Sequence, residues 1–336
     1  MRYKARLVAQ SFSQRSGIDY QETYSPVMNV ITFRFLIRLA ASEKLDMHLM
    51  DVVTTYLYGS LDSDFYMKVP EGLDLPKDKS KQRNMYSIKL QRALYGLKQF
   101  GRMWYNRLSE YLLKEGYTNN VICPCVFIKK SSFGFAIIAV YVDDLNLLGT
   151  LKEVSEIATY LQKKFEMKDL GKTRFCLGLQ IEHVSKGIFV HQYTYTKKVL
   201  KCFYMDKSHP LSSLMVVRSL DVDKDPFCPK EEEEELLGPE VPYLSAIGAL
   251  MYLANCTRPD IAFSVNFLAR YNSPTTKRHW NGVKHVFRYL SSTIDLGLLY
   301  SYESKSKLVG YGDAGYRYDT HKGRSQTGYL FTYGDT

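Results

Sequence analysis

Phe135-Ala136-Ile137-Ile138-Ala139-Val140-Tyr141-Val142-Asp143-Asp144-Leu145-Asn146-Leu147-Leu148 is two apolar runs joined by a polar pair. That pattern reads as a β-hairpin with its carboxylates at the tip. Adjacent like charges repel, so both stay ionised cheaply only in water or beside a cation. A hairpin presenting two carboxylates to divalent metal is what nucleotidyl transfer by the two-metal route requires. Asp is also a preferred turn residue, so an ordinary surface turn is the alternative that the rest of the chain has to displace.

The chain has 336 residues, enough for two or more domains with cores of their own. Hydrophobic residues make up 45% and mean hydropathy is −0.25, values of a globular protein. No apolar run reaches the roughly 18 residues of a spanning helix. Met1-Arg2-Tyr3-Lys4-Ala5-Arg6 lacks the apolar core of a signal peptide. Lys and Arg outnumber Asp and Glu by 45 to 35, a net charge of +10 that suits a polyanionic partner. Most of the 27 tyrosines should be half-buried core residues, but Tyr with Arg also suits stacking on bases and contact with phosphates. The six cysteines show no regular framework, and Cys123-Pro124-Cys125 lacks zinc-knuckle spacing. They read as reduced thiols of an intracellular protein. No metal ligand is assigned among the scattered histidines.

Arg6-Leu7-Val8-Ala9 reads as a short strand, followed by a polar turn around Arg15-Ser16-Gly17. Asn29 can cap a helix carrying Phe33, Leu36, Ile37 and Ala40 at helical spacing. Met47, Leu49 and Asp51 then share one strand face. A carboxylate ending an apolar strand is costly to bury without a cation or metal. A Pro/Lys/Asp-rich loop over 70–83 precedes Leu94 to Gln99 and a helix bearing Trp104, Leu108, Tyr111 and Leu112. A second amphipathic helix with Val154, Ile157, Ala158, Leu161 and Phe165 should be capped by Thr150. Phe175 to Ile181 reads as a strand with Gly187 to His191 as its hairpin partner. The stretch 221–240, with glutamates at 231 to 235, has the composition of a solvated linker and of the main boundary. Residues 242–298 read as helical, and Lys307 to Asp313 as a strand paired with Thr327 to Thr332.

Asp51 and the Asp143/Asp144 pair can therefore converge on one palm-like sheet. The chemistry would be in-line attack of a primer 3′-hydroxyl on an α-phosphate, with Asp51 bridging two metals and the Val52 carbonyl as a further ligand.

Several segments together resemble the reverse transcriptase of copia-type LTR retrotransposons, plant elements especially. They are Lys4 to Gln10, Tyr24-Ser25-Pro26-Val27, Met50 to Gly59, and Ala93 to Gln99 with Trp104-Tyr105. Tyr141 to Asp144, Met167 to Gly171, Ala246 to Leu253 and Thr257 to Ile261 complete the set in the family's order. The resemblance implies that Asp51, Asp143 and Asp144 are the metal-binding triad and that Tyr56 is the steric gate against a ribose 2′-hydroxyl. It implies that Lys4 and Arg6 reach the triphosphate, a solvated strand face being the alternative. It places Tyr95, Gly96 and Lys98 in the loop beneath the templating base, where glycine admits a close backbone approach. Leu177, Gly178 and Leu179 resemble the primer grip, and Lys168, on a helix-to-strand connection, stands near the leaving pyrophosphate or is simply solvated. Asp313 resembles a carboxylate of the first ribonuclease H strand, inert without the further carboxylates that domain uses. Val53, Thr55, Tyr58, Phe100-Gly101 and Ser11 depart from the usual family residues and read as drift.

The expectation is thus an α+β right-hand polymerase with an antiparallel palm sheet, divided as follows. Residues 1–220 form fingers and palm and 221–240 an acidic linker. Residues 241–300 form a helical thumb and connection, and 301–336 the start of a ribonuclease H domain. Implied cofactors are two Mg2+ ions, with Mn2+ able to substitute. Implied partners are an RNA template, a DNA primer or RNA–DNA hybrid, and deoxynucleoside triphosphates, without a membrane. A catalytically inactive remnant that still binds nucleic acid, and a non-catalytic interaction module, are the alternatives.

Overall fold

A computed structural model describes residues 7–59, 64–73, 85–131, 134–216, 225–227, 234–273, 275–303, 307–315, 323, 325–334 and 336. It divides into two compact units, Met1–Phe33 with Leu45–Thr173, and Arg34–Lys44 with Arg174–Thr336. Helix α1 (Val30–Glu43) contributes its first turn to one and the remainder to the other. Asn29 caps it as expected, its Oδ1 accepting the Thr32 N–H at 2.8 Å.

The first unit continues with β1 (Asp46–Val52), the short pair β2 (Tyr66–Lys68) and β3 (Ser87–Lys89), and helix α2 (Phe100–Lys114). Strands β4 (Thr118–Asn119), β5 (Val126–Ser131), β6 (Gly134–Tyr141) and β7 (Asp144–Gly149) follow, then α3 (Leu151–Lys164) and β8 (Met167–Lys172). Six strands make one sheet in the order β4-β5-β6-β7-β1-β8, every pairing antiparallel. Ala136 to Val140 and Leu145 to Gly149 are buried without alternation, because β6 and β7 lie inside the sheet. Phe100, Trp104, Leu108 and Leu112 recur every four residues and make the buried face of α2. α3 buries Val154, Ile157, Ala158 and Leu161 and opens with a capping box. The Thr150 N–H reaches Glu153 Oε2 at 3.0 Å while the Thr150 hydroxyl takes the Glu153 N–H at 3.4 Å.

The second unit holds β9 (Phe175–Cys176), β10 (Leu179–Val184), β11 (Gly187–His191) and α4 (Tyr193–Cys202). Helices α5 (Tyr243–Cys256), α6 (Ala262–Ala269) and α7 (Lys277–Ser292), then β12 (Gly297–Ser301), β13 (Leu308–Gly315) and β14 (Gln326–Tyr333), complete it. Its four-stranded sheet runs β12-β11-β10-β9, and β13 pairs with β14 alone. α5, α6 and α7 close over Leu250, Leu253, Val265, Phe267, Val286 and Phe287.

Three local expectations change. Leu7 to Gln10 run as irregular chain, held through the Ala9 N–H on the Tyr95 carbonyl at 2.6 Å rather than by a strand ladder. The strand expected over 175–181 breaks at Leu177 and Gly178, where φ is +52° and +73°, so only β10 pairs with β11. The helical stretch ends before Gly297, which opens β12. Of 221–240, residues 225–227 and 234–240 are described, and the compact units divide at Thr173.

Candidate active site

β1 and β7 run side by side with Asp51 directly opposite Asp144. Residues opposite one another in an antiparallel pair point to the same face, so both carboxylates leave the sheet together. The register continues outward to Tyr141 on β6 and to Lys168 on β8, giving the row Tyr141, Asp144, Asp51, Lys168 across four strands. Asp143 sits in the turn between β6 and β7, and its carbonyl accepts the Val52 N–H at 3.0 Å. All three carboxylates are half-buried. Burial first, then the charges of Asp143 and Asp51, push the Asp144 carboxyl up to about 6.

Val142, the first turn residue, has φ +55°, a left-handed conformation that a β-branched side chain adopts only under constraint. The constraint is visible. Trp104 on α2 donates its indole N–H to the Val142 carbonyl at 2.8 Å. Its ring meets Phe165 edge-on at 5.3 Å and lies 6.0 Å from Tyr58. The Tyr58 hydroxyl accepts the Glu166 N–H at 2.5 Å, and the Glu166 carbonyl accepts the Val53 N–H at 2.8 Å. The chain on the far side of Asp51 is thereby pinned as well. The Val52 carbonyl already accepts the Thr55 hydroxyl at 3.1 Å and keeps a second lone pair for another partner. Thr55 and Tyr58, read from sequence as drift, thus have definite partners.

Neighbouring carboxylates are hard oxygen donors of the kind Mg2+ and Mn2+ take, and a cation would offset the burial and then the repulsion that raise Asp144. Among the described residues no group of three His, Cys, Asp or Glu side chains is already gathered closely enough to hold an ion. The donor chemistry fits, and ligation would need the side chains to turn toward a common centre.

The remaining expected site residues fall as follows. Lys4 and Arg6 lie outside the described residues. The Tyr56 backbone forms part of a 3-10 turn over Thr55–Tyr58, and its side chain lies outside the description. Gly96 has φ +94°, and a Cβ there would collide with the Ala9 carbonyl oxygen, so the close approach it permits is to this chain's own backbone. Tyr95 stacks on Phe100 at 6.3 Å, while Lys98 lies over the Tyr20 ring at 5.0 Å. Lys168 belongs to strand β8, not to a connection, because Met167–Lys172 pairs along β1. In the second unit Leu177 and Gly178 form the two-residue turn between β9 and β10, and Leu179 is buried. The Leu177 carbonyl accepts the Tyr252 hydroxyl at 2.9 Å. Asp313 is exposed on β13 opposite Gly328.

Sequence reading overlooked the Trp104 N–H, although Trp104 at helical spacing with Leu108 marked a buried indole whose N–H would need an acceptor. It also could not pair Lys168 with Asp51.

Among the described residues no helix is long and apolar enough to cross a membrane. The family model described as "Reverse transcriptase (RNA-dependent DNA polymerase)" matches residues 1–216. The chain is 38% identical over 337 residues to the retrovirus-related Pol polyprotein from transposon TNT 1-94 of Nicotiana tabacum, covering 99% of this chain and 25% of that one. It is 33% identical over 334 residues to that from transposon RE2 of Arabidopsis thaliana, covering 98% and 22%. It therefore spans about a quarter of the length of these Pol polyproteins. Matches of this extent, in the order in which the motifs were read, place it: the chain belongs to the reverse transcriptase family of copia-type retrotransposon Pol polyproteins.

Proposed function

We propose that this chain is an RNA-directed DNA polymerase that extends a DNA primer on an RNA or DNA template. The observation that carries the reading is the register of Asp51 against Asp144, with Asp143 in the adjoining turn and Asp144 raised by burial first and then by both neighbours. Asp51, Asp143 and Asp144 would hold two divalent cations, with the Val52 carbonyl as a further ligand. A divalent cation held by these residues would supply a lowered pKa for the primer 3′-hydroxyl and neutralisation of charge on the phosphates. Lys168, opposite Asp51 in the β1–β8 register, would act near the leaving pyrophosphate. Tyr56 would exclude a 2′-hydroxyl, and Lys4 and Arg6 would orient the triphosphate. Tyr95, Gly96 and Lys98 would support the templating base, and Leu177, Gly178 and Leu179 the primer end. On this reading the six-stranded sheet with α2 and α3 is the palm and 241–300 the thumb and connection. The β13–β14 hairpin with Asp313 would be the start of a ribonuclease H domain.

The test is extension of poly(rA)·oligo(dT) with dTTP and Mg2+ or Mn2+. Incorporation that disappears in Asp51→Asn and Asp144→Asn is the expected result. Incorporation unchanged in both variants would overturn the proposal.

A further inference from the structure

Two consecutive carbonyls of the β6–β7 turn are held from different directions. Trp104 Nε1 takes that of Val142, and the Val52 N–H takes that of Asp143. The second bond belongs to the strand ladder and any hairpin beside β1 would have it. The first comes from a side chain 1% exposed and packed against Phe165 and Tyr58, which are in ring contact with each other, so it is fixed by the core and not by the turn. Val142 sits at φ +55°, a conformation a β-branched residue keeps only under constraint, and the peptide that follows it can turn about ψ of Val142 and φ of Asp143 unless its carbonyl is held. Such a rotation breaks the bond from Trp104 and carries Asp143 with it.

We infer that Trp104 is a positioning residue of the carboxylate site, its indole N–H holding the Val142 peptide so that Asp143 reaches the same divalent cation as Asp51 and Asp144. This rests on the reading of those three residues as a metal site. A tryptophan acting only as core filler would contribute through its volume and rings. The N–H is what distinguishes the two roles.

The experiment replaces Trp104 in the full chain by 3-benzothienylalanine, which keeps the bicyclic shape and puts sulfur where the N–H was. Trp104→Phe serves as a second variant, and circular dichroism checks folding of each. Mn2+ affinity is read from loss of the free-ion electron paramagnetic resonance signal, with Asp144→Asn as reference. Loss of one such hydrogen bond should weaken Mn2+ binding about fivefold. In primer extension kcat should fall while KM for the nucleotide stays unchanged. If wild type binds Mn2+, Asp144→Asn does not, and the benzothienyl protein binds like wild type, the role of Trp104 is overturned and the metal site stands. If wild type and Asp144→Asn bind Mn2+ equally, the metal site falls, and this inference falls with it.

Discussion

Asp51 and Asp144 face each other across the β1–β7 ladder, two like charges on the same side of a sheet. Directly opposed like charges destabilise a strand pair by up to about 1 kcal/mol. This arrangement opposes folding stability unless a cation occupies it. Asp144→Asn should therefore raise the melting temperature in EDTA, by about 2 °C on that estimate. Added Mn2+ should raise the melting temperature of wild type but not of the variant. Differential scanning fluorimetry with and without metal checks both, and a variant that melts lower in EDTA would rule out the repulsion.

The net charge of +10 should appear as salt-dependent affinity for an RNA–DNA hybrid. Roughly four phosphate contacts would cost about 100-fold in affinity between about 50 and 200 mM salt. Fluorescence anisotropy at several ionic strengths measures the slope, and a flat line would count against an electrostatic interface.

Acid stability should depend on Asp260. Burial would raise its carboxyl, but hydrogen bonds from Arg258, the Arg258 charge and the Tyr289 hydroxyl outweigh it and hold the group below its ordinary 3.8. A depressed carboxylate contributes stability above its unfolded value and loses it as pH falls through the folded one. Urea midpoints should therefore drop from pH 5 toward pH 3 more steeply in wild type than in Asp260→Asn, with pH values chosen about the ordinary carboxylate range. Equal slopes would show that the pair does not couple folding to protonation.

Gly178→Ala should destabilise the second unit for two separable reasons. At φ +73° an alanine bears a backbone cost of about 1 kcal/mol or more, and its Cβ would collide with the Tyr252 hydroxyl. Tyr252→Phe in the same chain removes the colliding atom and should restore part of the loss. Denaturant midpoints of the two single variants and the double variant separate the effects, and strict additivity would exclude the contact.

The periodicity of the apolar residues was enough to place α2, α3 and the β6–β7 hairpin, because burial of one face or of both leaves a regular spacing in the sequence. The Asn29 and Thr150 caps were legible for the same local reason, since a cap acts within three residues of itself. The break at Leu177 was not legible, because nothing in a leucine announces a positive φ, and the adjoining Gly178 and the Tyr252 hydroxyl are what hold it. The motifs named the three aspartates, but sequence distance carries no information about register. Only the β8-β1-β7-β6 order put Lys168, Asp51, Asp144 and Tyr141 in one row, and only packing put the Trp104 N–H under the Val142 carbonyl. Composition and local spacing determine which elements form. Which side chains share a field is decided by pairings between distant strands, where one residue of slip would send every side chain to the other face.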